Sequence, residues 1–484
     1  MAQIDNIRKI REKKLRQIRK AGYNPFPSKN KRTHTISQAL ENFSKFSKTK
    51  KNLVLVGRIM AQREHGGSSF FDIQDGTGKI QAFLKKDMVG KKQYSFFIDN
   101  FDIGDIVEIK GNLFKTKQGE KTIEVKDFSI LTKSLSPLPE KWHGLKDSEE
   151  RYRKRYLDLL FNKELREIFI KKAKFWDVTR DFMKRNGFFE VETPSLEITT
   201  GGAEANPFKT HHDDFDVDVY LRISVGELWQ KRLMAAGFEK TFEIGKIYRN
   251  EGSSPDHLQE FTNMEFYWAY ADYNDGMDLS KKLFQEIAKK VFGTTKFESR
   301  GYKYDLASKW KQIDYQKEVL KQTGINILKA SEKEIKNKLK DLKIKYEKGS
   351  KARLVDSLWK YCRKNIAGPA FLINHPKFVS PLAKEKENAP GLTERFQIIL
   401  AGSEIGNGYS ELNNPIDQRK RFEEQQKLLK SGEKEAMMPD WEFVEMLEYG
   451  MPPTCGFGFG ERFFAFLVDK PIRETTLFPL MKPR

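Results

Sequence analysis

Phe242-Glu243-Ile244-Gly245-Lys246-Ile247-Tyr248-Arg249-Asn250-Glu251-Gly252 is the stretch on which the reading of the chain turns, together with His257, Glu260-Phe261-Thr262 and Met264-Glu265-Phe266-Tyr267 just after it. It lies within residues 151–484, where strand-like and helical segments mix without a strict βαβ rhythm. That mixture predicts an α+β domain, an antiparallel sheet flanked by helices, rather than a doubly wound parallel sheet. No GxxxxGK[ST] loop and no GxGxxG after a strand occurs, so any nucleotide site has to be built by another route.

Working outward toward the N-terminus, Arg151-Tyr152-Arg153-Lys154-Arg155-Tyr156-Leu157-Asp158 leads into a long helix ending near Arg185. Residues 134–150, with Pro137, Pro139 and Gly144, read as a linker. Before it the period changes to that of strands. Leu53–Met60, Phe70–Gln74, Lys79–Leu84, Ile106–Phe114 and Lys121–Ile130 are rich in Val, Ile and Phe, and Gly66-Gly67, Asp75-Gly76-Thr77-Gly78 and Gln118-Gly119 separate them. Short strands with a longer, partly helical connection after the third predict an OB-type β-barrel over residues 51–133. Such barrels take single-stranded nucleic acid on aromatic platforms in a basic groove. Phe70 and Gln81 fall on adjoining strands and could stack on a base and read its edge; packing in the core is the plainer role for Phe70. Residues 1–50 are a lead-in opened by a basic helix over 4–20, with Ile4, Ile7, Ile10, Leu15 and Ile18 on one stripe. That helix is either a surface helix packed by its stripe or an arm that touches phosphates. Toward the C-terminus, the lysine-rich stretch 329–351 reads as part of a helical surface insertion spanning about 295–365.

Composition sets the outer limits. A chain of 484 residues exceeds one ordinary core, and 38% hydrophobic with 32% charged residues suits a globular protein with a solvated surface. No run of apolar residues is long enough for a membrane span, and the first residues do not look like a secretory signal. Cys362 and Cys455 are the only cysteines, which excludes a disulfide framework and a four-thiolate zinc site and predicts a cytoplasmic protein. The formal charge of +20 invites a polyanionic partner, although a lysine-rich composition alone gives the same sum.

Three segments carry a family resemblance. Residues 242–252 and their continuation resemble the second signature motif of the class II aminoacyl-tRNA synthetases; Gly456-Phe457-Gly458-Phe459-Gly460-Glu461-Arg462 resembles the third. Gly187-Phe188-Phe189-Glu190-Val191-Glu192-Thr193-Pro194 resembles the first. Other stretches are similar to the lysyl enzymes in particular: Gly201-Gly202-Ala203, Arg222-Ile223 leading to Glu227-Leu228 and Lys231-Arg232-Leu233, Glu404-Ile405-Gly406-Asn407-Gly408-Tyr409-Ser410-Glu411-Leu412-Asn413, and Ile472-Arg473-Glu474. The chain is thereby identified as a member of the class II lysyl-tRNA synthetase family, and the similarity runs through barrel and linker.

The resemblance implies a lysine–tRNA ligase that uses ATP and Mg²⁺, with L-lysine and tRNA(Lys) as further substrates. It also implies a homodimer, because Pro194 and the helix before it resemble the first motif's subunit interface. Amino-acid activation brings two anionic partners together, so positioning and cations do most of the work. Arg249 and Arg462 would be the catalytic arginines, and ATP would be held by Arg249, Glu251, His257, Phe261, Glu404 and Arg462. Gly202, Glu227 and Glu265 would meet the α-ammonium of lysine, and Glu411 and Tyr267 the ε-ammonium, with Asn407 and Tyr409 shaping the pocket. Glu404 would be a metal ligand. The second metal position, usually Glu, is Gln397, whose amide oxygen can ligate but carries no charge. On the barrel, Phe70, Gln81 and Glu120 match anticodon-contacting positions, and the arginine that relatives carry after the first strand is either Arg63 or replaced by Gln62. An aspartate or asparagine enzyme of this fold would need a cation in place of Glu411. A relative that modifies a protein lysine would lack the barrel, and a non-catalytic tRNA-binding relative would have lost Arg249 or Arg462.

Overall fold

A computed structural model describes residues 2–139, 147–203, 205–252, 254–346, 349–432 and 436–483. The chain divides into two compact units, residues 1–146 and 147–484.

In the first unit, strands β1 (Leu53–His65), β2 (Ser68–Gln74), β3 (Lys79–Lys85), β4 (Ile106–Lys115) and β5 (Lys121–Thr132) form a closed barrel in the order β1-β2-β3-β5-β4. Alternation decides what faces inward: Phe71, Ile73, Ile80, Ala82 and Leu84 are buried, while Phe70, Asp72, Gln81 and Phe83 between them face outward. The connection after β3 is helical at Lys86–Val89 and Lys91–Asn100, and Phe97 of its second helix is fully buried beneath the barrel. At a bulge in β4, a side chain on Gly111 would overlap the carbonyl oxygen of Glu124, so the strand crossing needs glycine there.

The N-terminal helix, Ala2–Lys20, packs by its apolar stripe only toward its C-terminal end: Ile18 is fully buried in the barrel core and Ile7 and Leu15 are partly buried, whereas Ile4 and Ile10 are half-exposed. A polar anchor adds to this packing. Arg11 is buried and donates to the carbonyl oxygens of Ile103, Ser134 and Ser136, and Lys14 reaches Asp102 at 2.7 Å. Residues 134–139 of the expected linker therefore stay with the barrel unit. Residues 140–146 lie outside the described residues, and Ser148–Arg153 is already helical, capped by Asp147.

The second unit is built on an eight-stranded sheet. Its strands are β6 (Phe189–Glu190), β7 (Lys240–Tyr248), β8 (Glu260–Ala269), β9 (Lys311–Asp314), β10 (Ala370–Pro376), β11 (Leu392–Leu400), β12 (Ser403–Ser410) and β13 (Thr454–Gly460). They run in the order β9-β10-β11-β12-β13-β8-β7-β6, antiparallel except for the parallel pairs at the two edges. Helices Lys163–Arg185, Tyr273–Ile287 and Arg462–Leu467 cover one face with an aromatic core in which Phe284 stacks on Phe463 at 3.9 Å and Phe396 on Phe457 at 5.5 Å. Helices Tyr315–Thr323, Glu332–Asp341 and Lys351–Cys362 have a separate core that includes Ile335, Leu339, Leu354 and Leu358 and closes on Ala370, Leu372 and Ile399 of the sheet. Lys329, Lys333, Lys340, Lys343 and Lys345 are on the solvated side of this layer; its other side is buried. The hairpin Lys296–Ser299 and Tyr302–Asp305 packs by Phe297 and Tyr304 on the main core instead. Among the described residues no helix is long and apolar enough to cross a membrane.

Candidate active site and nucleic-acid face

Alternation along neighbouring strands builds the floor of the site. In β13 Phe457 and Phe459 point into the core, so Gly456, Gly458 and Gly460 point to the opposite, open face. In β12 the phase is reversed. Side chains on Gly406 and Gly408 would strike the rings of Phe457 and Phe396, which leaves Asn407 and Tyr409 on the open face. Register then aligns them. One row across the sheet reads Gln397, Asn407, Gly458, Glu265, Glu243; the next reads Arg395, Tyr409, Gly456, Tyr267, Thr241. Glycines in mid-row make a trough with polar side chains on both banks. A Cβ on Gly458 would sit 2.7 Å from Glu265 Cγ, and one on Gly456 would sit 2.6 Å from Tyr267 Cε1 and closer still to Glu411 Oε1.

At one end of the trough three buried carboxylates meet. Glu265 accepts hydrogen bonds from Val225 N at 2.8 Å, Asn263 Nδ2 at 2.9 Å and Tyr267 Oη at 3.2 Å. Burial, then Glu227, pushes its carboxyl up to about 7 despite those donors. Glu227 opens the helix Glu227–Ala235, and the fully buried Lys231 one turn later joins two of the acids, at 2.7 Å from Glu227 and 2.6 Å from Glu411. The hydroxyl of Tyr409 also donates to Glu227. Burial alone would lower the pKa of Lys231, but Glu227 and Glu411 outweigh it and hold the ammonium above its ordinary value. Burial raises the Glu411 carboxyl, with Lys231 pulling it back. When all three carboxylates are ionised, one ammonium leaves an excess of two negative charges, suited to a ligand whose two cationic groups draw off the protons that burial favours. Gly202 adjoins this cluster, its missing side chain leaving room for Glu227 and Ser224.

The other end is cationic. Arg249 follows β7, and its guanidinium makes long contacts, 3.3 and 3.4 Å, to the carbonyl of Ile223 and lies 5.6 Å from the centre of the Phe261 ring. Among the described residues no carboxylate lies within ion-pair distance of it, so it can accept an anionic ligand. The loop it begins is closed by Arg249 N–H to Gln259 O and by Gln259 Nε2 to Glu251 O. Arg300 clamps the same loop through Asp256. His257 bonds Ser254 Oγ at 2.7 Å, and burial, then Arg462, lowers its pKa, favouring the neutral ring. Phe261 lies over Gly460, where a Cβ would touch the ring at 3.4 Å. Arg462 donates to the backbone oxygen of Glu404, and burial, then Arg363, brings its guanidinium down to about 10.

Glu404 is ringed by donors: Trp359 Nε1 at 2.7 Å, Gln397 Nε2 at 3.1 Å and Arg363 at 3.3 Å. A carboxylate only accepts, so the Gln397 amide turns its NH₂ to Glu404 and its oxygen to His375 Nε2, 3.1 Å away. The imidazole lies between that oxygen and the Arg395 carbonyl, 3.3 Å from Nδ1; burial, then Arg395, holds it neutral, at about 3. The one oxygen with which Gln397 could ligate an ion is thereby engaged, which counts against the amide as a ligand.

On the barrel, Phe70 stacks on Phe83 at 4.5 Å, and Phe83 lies 6.0 Å from Phe114, a half-buried aromatic row on the outer face. Arg63 pairs opposite Phe70, whereas Gln62 pairs opposite the buried Phe71. Gln81 and Glu120 line one cavity of about 320 Å³ with Asp72, Lys79 and Lys121.

Lys231, quoted only as part of a motif, and Arg363, Trp359, His375, Phe83 and Phe114 had no role assigned from the sequence. Two of these were legible. Glu227 and Lys231 have helical i, i+4 spacing, and strand alternation puts Phe83 on the face of Gln81. The others depend on tertiary packing that spacing does not report.

The catalytic unit matches the model of the tRNA synthetases class II (D, K and N) over residues 147–482, and the barrel matches that of the OB-fold nucleic acid binding domain over 53–131. Among curated proteins, a lysine–tRNA ligase of Thermotoga maritima is 44% identical over 99% of this chain and 97% of its own length. One of Thermosipho africanus is 43% identical over 99% and 97%, and one of Carboxydothermus hydrogenoformans is 42% identical over 100% and 99%.

Proposed function

Because the chain belongs to the class II lysyl-tRNA synthetase family, whose reaction joins L-lysine to ATP as lysyl-adenylate and then passes the lysyl group to the 3′ end of tRNA, we propose the following roles for its residues. The observation that carries the reading is the trough itself, with an acidic cluster at one end and the buried guanidinium groups of Arg249 and Arg462 at the other. Lysine lies along the glycine floor. Its ammonium groups meet Glu227, Glu265 and the Gly202 carbonyl at the α end and Glu411 with Tyr267 at the ε end, while Asn407 and Tyr409 form the wall. Lys231 neutralises one of the carboxylates, so the pocket matches two ammonium groups rather than three. The lysine carboxylate then points toward Arg249, which holds it against the α-phosphate. As the carboxylate oxygen bonds to phosphorus, the bond to the pyrophosphate oxygen breaks and its electron pair leaves with pyrophosphate. Arg249 sits where charge gathers on the α-phosphate, and no covalent enzyme intermediate is needed. Arg462 and Phe261 sandwich the adenine, Glu251 meets its edge, and His257 and Arg462 hold the outer phosphates.

Class II synthetases use ATP with Mg²⁺. Glu404 is the residue that fits the ion, since Mg²⁺ takes one or two carboxylates and completes its shell with phosphate oxygens and water. When bound, the ion neutralises phosphate charge. Gln397 is a poorer candidate, its oxygen being engaged by His375.

The barrel reads the anticodon with Phe70, Gln81 and Glu120, joined by Arg63 and the rings of Phe83 and Phe114. Unpaired U-rich anticodon bases can stack on such a row and offer their edges. The exposed apolar side chains Phe189, Leu196, Ile198 and Phe238 near Pro194 support a two-fold homodimer. Two free, buried cysteines agree with a cytoplasmic setting.

The test is amino-acid-dependent exchange of pyrophosphate into ATP across all twenty amino acids. Exchange with lysine alone is expected. Exchange with aspartate or asparagine would overturn the assignment of Glu411.

A further inference from the structure

The donors around Glu404 come from separate elements. Gln397 belongs to the sheet, whereas Trp359 and Arg363 come from the end of the helix Lys351–Cys362, Arg363 being the first residue beyond it. Arg462 arrives just beyond β13, the neighbour of the strand that carries Glu404, so two guanidinium groups converge on this residue, Arg363 on its carboxylate and Arg462 on its backbone oxygen. Arg363 is four-fifths buried and, among the described residues, pairs with Glu404 alone, at 3.3 Å. Glu404 faces a neutral amide at 397 instead of a second acid, so this end of the trough carries a surplus of fixed positive charge. A planar, permanently charged guanidinium that meets a carboxylate in this way has the geometry to meet phosphate oxygens as well.

We propose that Arg363 is a phosphate-binding residue of the adenylation step. Its guanidinium takes β- and γ-phosphate oxygens of ATP beside Arg462 and supplies the charge that an ion shared by two carboxylates would otherwise bring. Glu404 then serves as the one acidic ligand. When the bond between the α-phosphorus and its bridging oxygen breaks, the electron pair goes to that oxygen, now on pyrophosphate, and Arg363 and Arg462 stabilise it. The helical insertion thus contributes a working residue to the ATP site rather than only a solvated cover. The inference rests on the placing of the outer phosphates at Arg462 and Glu404 proposed above.

The experiment measures ATP affinity of the full chain without lysine, by calorimetry, in Mg²⁺ and in EDTA, for the wild type and for R363M, R363K and R462M. Bound Mn²⁺ at saturating ATP is counted by electron paramagnetic resonance in the wild type and in Q397E. R363M should weaken ATP binding at least about tenfold in EDTA, the loss that goes with one charge-assisted hydrogen bond, and R363K should recover part of it. Q397E should bind one more Mn²⁺ than the wild type. A purely structural Arg363, acting by holding Glu404 in place, would weaken ATP only when the metal is present. R363M binding ATP as the wild type does in EDTA, or Q397E gaining no ion, would overturn the proposal. If R462M also leaves ATP affinity untouched, the placing of the phosphates is what has failed.

Discussion

Replacing Gly456 by alanine adds one methyl group to the floor of the trough and tests the lysine pocket with little change to anything else. Gly456 lies in regular strand, so alanine brings no backbone strain, and the effect is steric. The new Cβ would stand 2.6 Å from Tyr267 Cε1 and nearer still to Glu411 Oε1. An ordinary carbon–oxygen or carbon–carbon approach needs about 1 Å more. The Glu411 carboxylate cannot retreat freely, because the Lys231 ammonium stands 2.6 Å behind it. A shift of that size breaks a charge-assisted hydrogen bond to the ε-ammonium, worth about 1.5–3 kcal/mol, or roughly 10- to 150-fold in affinity. In pyrophosphate exchange, G456A should raise the lysine KM by that factor while the ATP KM stays within about twofold. G406A is the control from the opposite face of the sheet, where the Cβ meets the Phe457 ring at 2.6 Å. It should lower thermal stability and spare the lysine KM. A folded G456A with an unchanged lysine KM would refute the placing of the substrate along the glycine floor.

Lysine binding should also depend on pH through Glu265, whose carboxyl stands at about 7. Its ionised fraction, and with it lysine affinity, should rise about tenfold between pH 6 and 8; an E265Q variant with the same slope would exclude this group. The sign for stability is opposite. The folded state holds this proton more tightly than the unfolded chain, so the contribution is full below 4.5 and is lost as the pH rises through about 7. Lys231→Met leaves Glu227 and Glu411 without their common cation and should cost about 3–5 kcal/mol in denaturant unfolding of the catalytic unit; a loss under about 1 kcal/mol would mean that the acids simply take up protons. On the barrel, F83A should weaken tRNA binding by about 1–3 kcal/mol for each base stacked there while exchange of pyrophosphate without tRNA is unchanged. Equal tRNA affinity would confine Phe83 to packing against Phe70.

The strands of the barrel and the antiparallel sheet were legible because alternation and turn residues are local signals. Glu265, Glu411 and Arg249 were legible through the frames that surround them. What spacing could not give was who partners whom. Tyr267, expected at the ε end, bonds Glu265, and Glu227, expected at the α end, shares Lys231 with Glu411. Those pairings depend on strand register and on the depth of one helix, both set by distant contacts. The stripe Ile4–Ile18 was legible only in part for a related reason: helical period predicts which residues share a face, but not how far along that face a partner surface extends, and here Ile18 is buried while Ile4 and Ile10 are half-exposed.

The helices of the insertion have a core of their own, and the last of them ends in Trp359 and Arg363 beside Glu404. A layer with a separate core can open without unfolding the rest of the domain. On warming, it should act as a fuse. The grip on Glu404 slackens while Glu265, Glu411 and Lys231, rooted in the central strands and the 227–235 helix, stay assembled. Heat should therefore cost this enzyme its hold on the nucleotide before its recognition of the amino acid, so the temperature at which ATP affinity fails reports the cohesion of a helical layer outside the amino-acid pocket.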